Sequence, residues 1–403
     1  MASQVHGKPF LLNNFPSKKM DNTIEKASLC ALGKIFGFSP KTGLAILSHL
    51  GCAEKLFRMS QDEIDELIGP YSRYRDEITP KALESAIREL SDLKKRGIEY
   101  VGYTDEDYPG LLKECEDAPI GIYIRSYNPA SSLWKQDKNI AIIGTRDISS
   151  YGNEWCYRIV KTLAESGTRP LIVSGLAIGT DIAAHNAALE FGLPTIAVMA
   201  TGPESVYPYR HASIADRIAR TPDCALITDY PPGTAPLAVH FLRRNRIIAG
   251  LAHSTILIES KLRGGGMTTA RLAFSYNREV YALPGRNDDI RSQGCNRLIR
   301  DKVAEPLTSL EDLIEVMDLC NGNPSAGKDI IDHMNSSYGN SAPENAAMLI
   351  TIIKNNRDIT IEELAEISDI PYYKVSETCR ILESDGFLSI DLLLRCSINP
   401  KFV

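Results

Sequence analysis

The stretch from Asn139 to Ala200 reads NIAIIGTRDISSYGNEWCYRIVKTLAESGTRPLIVSGLAIGTDIAAHNAALEFGLPTIAVMA. Short apolar, β-branched runs at 139–143, 170–173 and 195–200 predict strands. The longer amphipathic runs between them, 151–166 and 178–191, predict helices. Strands that are apolar throughout and alternate with helices specify a parallel sheet covered on both faces. Downstream, 225–228, 255–259 and 279–282 repeat the strand pattern with helical runs between. The expectation is a doubly wound, Rossmann-like α/β domain over residues 99–318.

Outside this region the pattern changes. Residues 21–98 read as a small helical domain of the helix-hairpin-helix or SAM type, with helices at 23–36, 41–50, 61–68 and 80–96; residues 1–20 read as a flexible tail. Residues 319–343 carry Asn, Gly, Ser and Pro clusters and predict a linker. Residues 344–403 predict a winged helix. A helix at 344–355 is followed by a Thr360…Glu363 capping box opening a second. A third, at 371–383, places Val375, Cys379 and Leu382 on one face, and 387–398 reads as a hairpin.

A chain of 403 residues, 43% hydrophobic and 24% charged, can bury conventional cores in two or three domains. The first residues form no secretory pattern, and no run approaches the roughly 18 apolar residues of a membrane span. The expectation is a cytoplasmic protein without a membrane partner. Nine cysteines lack CxxC spacing, and the seven histidines form no paired motif. Reduced thiols are expected, with neither a disulfide frame nor a metal site. The net charge of −6 argues against polyanion binding until its distribution is considered. Residues 241–302 hold twelve Lys/Arg against five Asp/Glu, and 303–369 hold three against thirteen. Such asymmetry suits a polyanion-binding face beside a solvated acidic region.

In an open α/β sheet, ligands bind beyond the carboxyl ends of the strands. The turns there are the candidate site. Gly144-Thr145-Arg146 is followed by Ser149 at a helix start, a pattern suited to phosphate. The second turn is Ser174-Gly175-Leu176-Ala177-Ile178-Gly179, with Asp181 and His185 on the next helix; Asp181 is expected to brace the loop and His185 to pack beneath the sheet. Arg243-Arg244-Asn245-Arg246 opens an apolar run, and three guanidinium groups there predict phosphate contact. Lys261 precedes Gly264-Gly265-Gly266 and Thr268-Thr269, a further backbone cradle, and Asn296 follows a Pro284-Gly285-Arg286 turn. Neither GxGxxG nor GxxxxGK[ST] is present, so no nucleotide cofactor is expected. Tyr207, Tyr209, Phe241 and Tyr276 are candidates for stacking on bases.

Taken in order, GTR (144–146), SGLAIGTD (174–181), RRNRIIAGL (243–251), GGGMTTARLA (264–273), ALPG (282–285) and GCNRLI (294–299) resemble the DNA-processing protein A (DprA/Smf) family. The resemblance is strong over about residues 100–315 and looser in the flanking modules. It departs at Ile178, where the family often has a base, at Thr180, and at Leu242, where proline is common. The resemblance implies a non-enzymatic, homodimeric single-stranded-DNA-binding protein that protects incoming DNA and helps load RecA in natural transformation. By motif position it implies that Gly144, Arg146, Ser174, Gly175, Arg243, Asn245 and Arg246 line the DNA groove. The alternative is a nucleotide-processing enzyme resembling the lysine-decarboxylase-like phosphoribohydrolases. The glycine turns fit it, but PGR (284–286) runs into Asn287-Asp288-Asp289 in place of their PGGxGT–Glu pattern.

Overall fold

The computed structural model describes residues 22–310, isolated positions from 313 to 345, and most of 346–398. The tail expected at 1–20 and nearly all of the linker expected at 319–343 lie outside the described residues. Contacts divide the chain into two units, Met1–Leu319 and Cys320–Val403.

The first unit is built on a nine-stranded sheet. Its strands are β1 (Ile98–Gly102), β2 (Gly121–Ser126), β3 (Asn139–Ile143), β4 (Leu171–Ser174), β5 (Thr195–Val198), β6 (Ala225–Thr228), β7 (Ser254–Leu257), β8 (Glu279–Ala282) and β9 (Glu305–Pro306). The order is β1-β2-β6-β5-β4-β3-β7-β8-β9. Strands β3 to β9 pair in parallel, while β2 runs antiparallel to both β1 and β6. The chain leaves β3 for β4 on one side and returns as β7 on the other, so the topological switch point lies between β3 and β7.

Both faces of the sheet are covered, as its apolar strands demand. In β3 the side chains alternate. Ile140 and Ile142 pack with Ile159 and Leu163 of α6 (Ser150–Glu165) and Ala184 of α7 (Thr180–Glu190). Ala141 and Ile143 belong to the opposite core, with Ile247 of α9 (Ala238–Gly250) and Ala270 of α10 (Gly265–Ser275). Helix α8 (Ala212–Arg220) packs a smaller cluster through Ala215 and Ile218. The N-terminal helices α1 (Asn22–Phe36), α2 (Pro40–Leu50), α3 (Gln61–Ile68) and α4 (Pro80–Lys95) share the α9 core, through Leu29, Leu32 and Phe36. A short α5 (Gly110–Lys113) and α11 (Gln293–Arg300) complete the unit. Strands β1 and β2 have no counterpart in the sequence-based assignment. They link the N-terminal helices to the sheet, β1 pairing with β2 and β2 with β6, about a hundred residues downstream.

The second unit has its own core of Ile350, Leu364, Val375, Cys379, Leu382 and Phe387. It comprises α12 (Ala346–Asn355), β10 (Ile359–Thr360), α13 (Ile361–Ser368), α14 (Tyr372–Ser384), β11 (Leu388–Ile390) and β12 (Arg395–Ile398), with sheet order β10-β12-β11. The Thr360 capping box forms as expected: Thr360 Oγ1 accepts from Glu363 N at 3.2 Å, and Glu363 Oε2 accepts from Thr360 N at 2.9 Å.

Candidate nucleic-acid interface

The turns at the carboxyl ends of β3, β4 and β7 touch one another. The carbonyl of Thr145 accepts from Thr180 N at 3.1 Å, which holds the β3 turn against the start of α7. Gly179 makes this possible with φ +84°, and a Cβ there would lie 2.2 Å from Thr145 O. On the other side, a Cβ on Gly266 of α10 would come 3.5 Å from Gly144 Cα. The β3 turn, the β4 turn and the N-terminus of α10 therefore form one continuous rim over the switch point.

Many of the candidate residues build this rim from inside instead of facing outward. The N-terminus of α6 was expected to attract phosphate. Buried Glu259 occupies that position: its carboxylate accepts from Ser149 N at 2.9 Å and Ser149 Oγ at 2.5 Å. Ser149 Oγ in turn caps Gly152 N at 3.0 Å. An internal carboxylate thus supplies the negative charge that the helix end favours. Ser174 is fully buried and donates to Ile142 O at 2.6 Å. Asn296 bonds both backbone groups of Gly285, at 2.9 and 3.2 Å, and braces that turn. Thr269 is buried and donates to Gly265 O at 3.3 Å.

The arginine triplet requires the largest correction. Arg244 is 3% exposed and donates to the carbonyls of Gly175 and Val198. It fills the space a Gly175 side chain would need, since a Cβ there would lie 2.1 Å from Arg244 Nη1. Arg246 is buried against the Asp229 carboxylate and the Asp117 carbonyl. Asn245 is buried between them in sequence. One turn of helix carries side chains round its whole circumference, so a consecutive run on α9 cannot all face one ligand. Of the triplet, only Arg243 reaches the surface, where it lies over the Phe38 ring at 4.0 Å and donates to Gly37 O.

Asp181 and His185 serve the interior, as expected. Asp181 is buried and accepts from Ala177 N at 3.3 Å; burial raises its carboxyl above the ordinary aspartate range, with the Arg244 charge opposing. His185 Nδ1 lies 2.8 Å from Thr195 Oγ1. Burial, then the charges of Arg244 and His211, lowers its pKa to about 3. Tyr276, a candidate for stacking, instead donates to Asp117 at 2.7 Å.

What the rim does expose is coherent. Arg146 is exposed and lies over the Phe241 ring at 5.3 Å. Phe241 in turn meets Tyr207 at 5.5 Å between centroids, and Tyr207 is 49% exposed. Lys261, Arg263, Gly265 and Thr268 are exposed around the N-terminus of α10, which no side chain caps. Arg210 and Tyr209 are exposed beside Tyr207 in sequence. Among the described residues, Arg146, Arg210, Lys261 and Arg263 form no ion pair, whereas Arg286 and Arg291 are neutralised by Asp288 and by Asp147 and Asp289. Arg210 and Arg263 were not among the sequence candidates. Only their lack of carboxylate partners marks them, and that is a tertiary property.

The sequence profile of the DNA recombination-mediator protein A family matches residues 99–318, the segment that carries the whole rim. The chain belongs to this family. Within the DNA recombination-mediator protein A family, the chain is 39% identical over 210 residues to the DNA processing protein DprA of Streptococcus pneumoniae, covering 52% of this chain and 71% of that one. It is 32% identical over 249 residues to the Bacillus subtilis protein of the same name, covering 60% and 81%. The X-ray structure of Streptococcus pneumoniae DprA superposes with a TM-score of 0.56 at 29% identity, covering 73% of this chain and 96% of that one. In this family member no helix among the described residues is long and apolar enough to cross a membrane. Also among the described residues, no group of three or more His, Cys, Asp or Glu is placed to hold a metal.

Proposed function

We propose that this recombination mediator binds single-stranded DNA along the rim formed by the β3 and β4 turns and the N-terminus of α10. The observation that carries the reading is Arg146, without a carboxylate partner among the described residues, set over Phe241 with Tyr207 beside it. A guanidinium next to one half-buried and one exposed ring suits an unstacked strand, whose bases have free π-faces. A duplex hides those faces. Lys261, Arg263 and the open N–H groups of α10 extend the positive track for phosphates. The protein acts by holding the strand, without catalysis or cofactor. The engagement of Asp181 and His185 in internal bonds supports this. In keeping with its family resemblance, we assign it a cytoplasmic homodimer that protects incoming DNA and passes it to the RecA recombinase in transformation. The helix–strand–helix–helix–hairpin order of residues 346–398 is that of a winged helix, which we assign to docking.

Oligonucleotide binding by Arg146→Ala at several salt concentrations tests the reading. The variant should bind more weakly, with a log–log salt slope smaller by about one unit. Wild-type affinity and slope, or equal preference for single and double strands, would defeat it.

A further inference from the structure

We propose a second base-binding subsite, resting on the single-strand reading above, in the groove between the α1–α2 turn and α9, with Phe38 as its stacking ring and Arg243 as its phosphate contact. The groove encloses about 500 Å³ and is lined by Phe38, Pro40, Lys41, Leu242, Arg243 and Leu272, with Asp117 at its wall. That volume accommodates a nucleobase with its sugar. Phe38 is 60% exposed, and with exposed Leu242 it gives the groove an apolar wall that a base can stack on. Arg243 lies over the ring at 4.0 Å and donates to Gly37 O, and the His240 ring stands 6.1 Å away between centroids, so the ring is held in place with most of its surface exposed.

The charge of the groove fits a phosphate chain. Arg243 has no carboxylate partner among the described residues and Glu116 pairs with Lys41; Asp117, held by Tyr276, keeps its charge, and the Arg246 guanidinium beside it also lines the groove. Phe241 and Arg243 lie two residues apart on α9, about 3 Å along its axis and roughly 200° round it, on either side of exposed Leu242. Each joins a guanidinium to an aromatic ring, Arg146 with Phe241 and Arg243 with Phe38. The N-terminal helices thereby lengthen the bound segment.

The test is fluorescence anisotropy of the full chain with an oligothymidine ladder from about 4 to 30 nucleotides, the lower end matching the shortest site sizes of single-strand grooves. Phe38→Ala should bind the shortest oligomers as the unsubstituted protein does and lose about 5- to 100-fold on long ones. Phe38→Trp should bind long oligomers normally, and its added emission, over the two native tryptophans, should be quenched by them. Phe38→Ala matching the parent at every length, or Phe38→Trp emission untouched by bound long oligomers, overturns the subsite while the rim reading stands. A change of oligomeric mass in Phe38→Ala with no change in affinity overturns it too, and assigns the groove to a second copy of the chain. If the unsubstituted protein binds no oligomer of any length, the rim reading itself fails and the subsite with it.

Discussion

Arginines of one sequence motif take opposite roles here, and burial sorts them. Arg246 is enclosed with Asp229, both under 10% exposed, so each charge depends on the other. Asp229→Asn should leave a buried guanidinium uncompensated and cost about 3–5 kcal/mol in urea denaturation. Any loss of DNA affinity should follow the folded fraction and leave the salt slope intact. A normal unfolding midpoint would contradict the burial. His185 makes a second prediction. Its pKa falls to about 3 in the folded state from the ordinary histidine value of 6.5, so the unfolded chain binds more protons between those values. Its contribution to stability is therefore present above about pH 6.5 and is lost as the pH falls toward 3, by up to about 1.4 kcal/mol per unit. Denaturation of His185→Asn at pH 7 and pH 4.5 should show a smaller acid loss than the parent. An equal loss would mean that the imidazole is not held neutral.

At the level of elements, α9 is the pivot. Its first turns leave Phe241 and Arg243 partly exposed, on nearly opposite sides of the helix, while Arg244 and Arg246 are buried against backbone carbonyls and Asp229. The two kinds of contact give different signatures. Stacking releases few counterions, so Phe241→Ala should weaken single-strand binding by about 5- to 100-fold with its salt slope unchanged. A changed slope with small loss of affinity would assign the ring to positioning Arg146 instead. Helix α6 shows the converse case. Its N-terminus has the form of an anion site, but Glu259 from the end of β7 fills it, and the helix end serves to lock two strands' turns together.

Across the whole molecule, an acidic chain carries a basic rim. The net charge of −6 is reached because residues 303–369 hold thirteen acids against three bases, while Arg146, Arg210, Lys261 and Arg263 have no ion-pair partner among the described residues. The C-terminal unit has a separate core and places its negative charge away from the family-matched segment in sequence. Deleting residues 344–403 should leave oligonucleotide affinity unchanged in the same anisotropy assay. A loss of more than a few-fold would make that unit part of the DNA surface.

Sequence by itself determined the parallel sheet, because strands buried on both faces must be apolar throughout and β3, β6 and β8 declare themselves within one or two residues. It also determined where the turns at the carboxyl ends of the strands fall, and the capping box at Thr360, since both depend on residues adjacent in the chain. The antiparallel pair β1 and β2 was not legible, since its partner β6 is remote in sequence and local alternation in short edge strands is weak. Nor was the division of labour within Gly144–Ser149 and Arg243–Arg246. Whether a guanidinium meets water or a carboxylate such as Asp229 depends on which distant segments the fold brings against it. Only the tertiary structure decides that, because desolvation and ion pairing act through space and leave no mark in spacing along the chain.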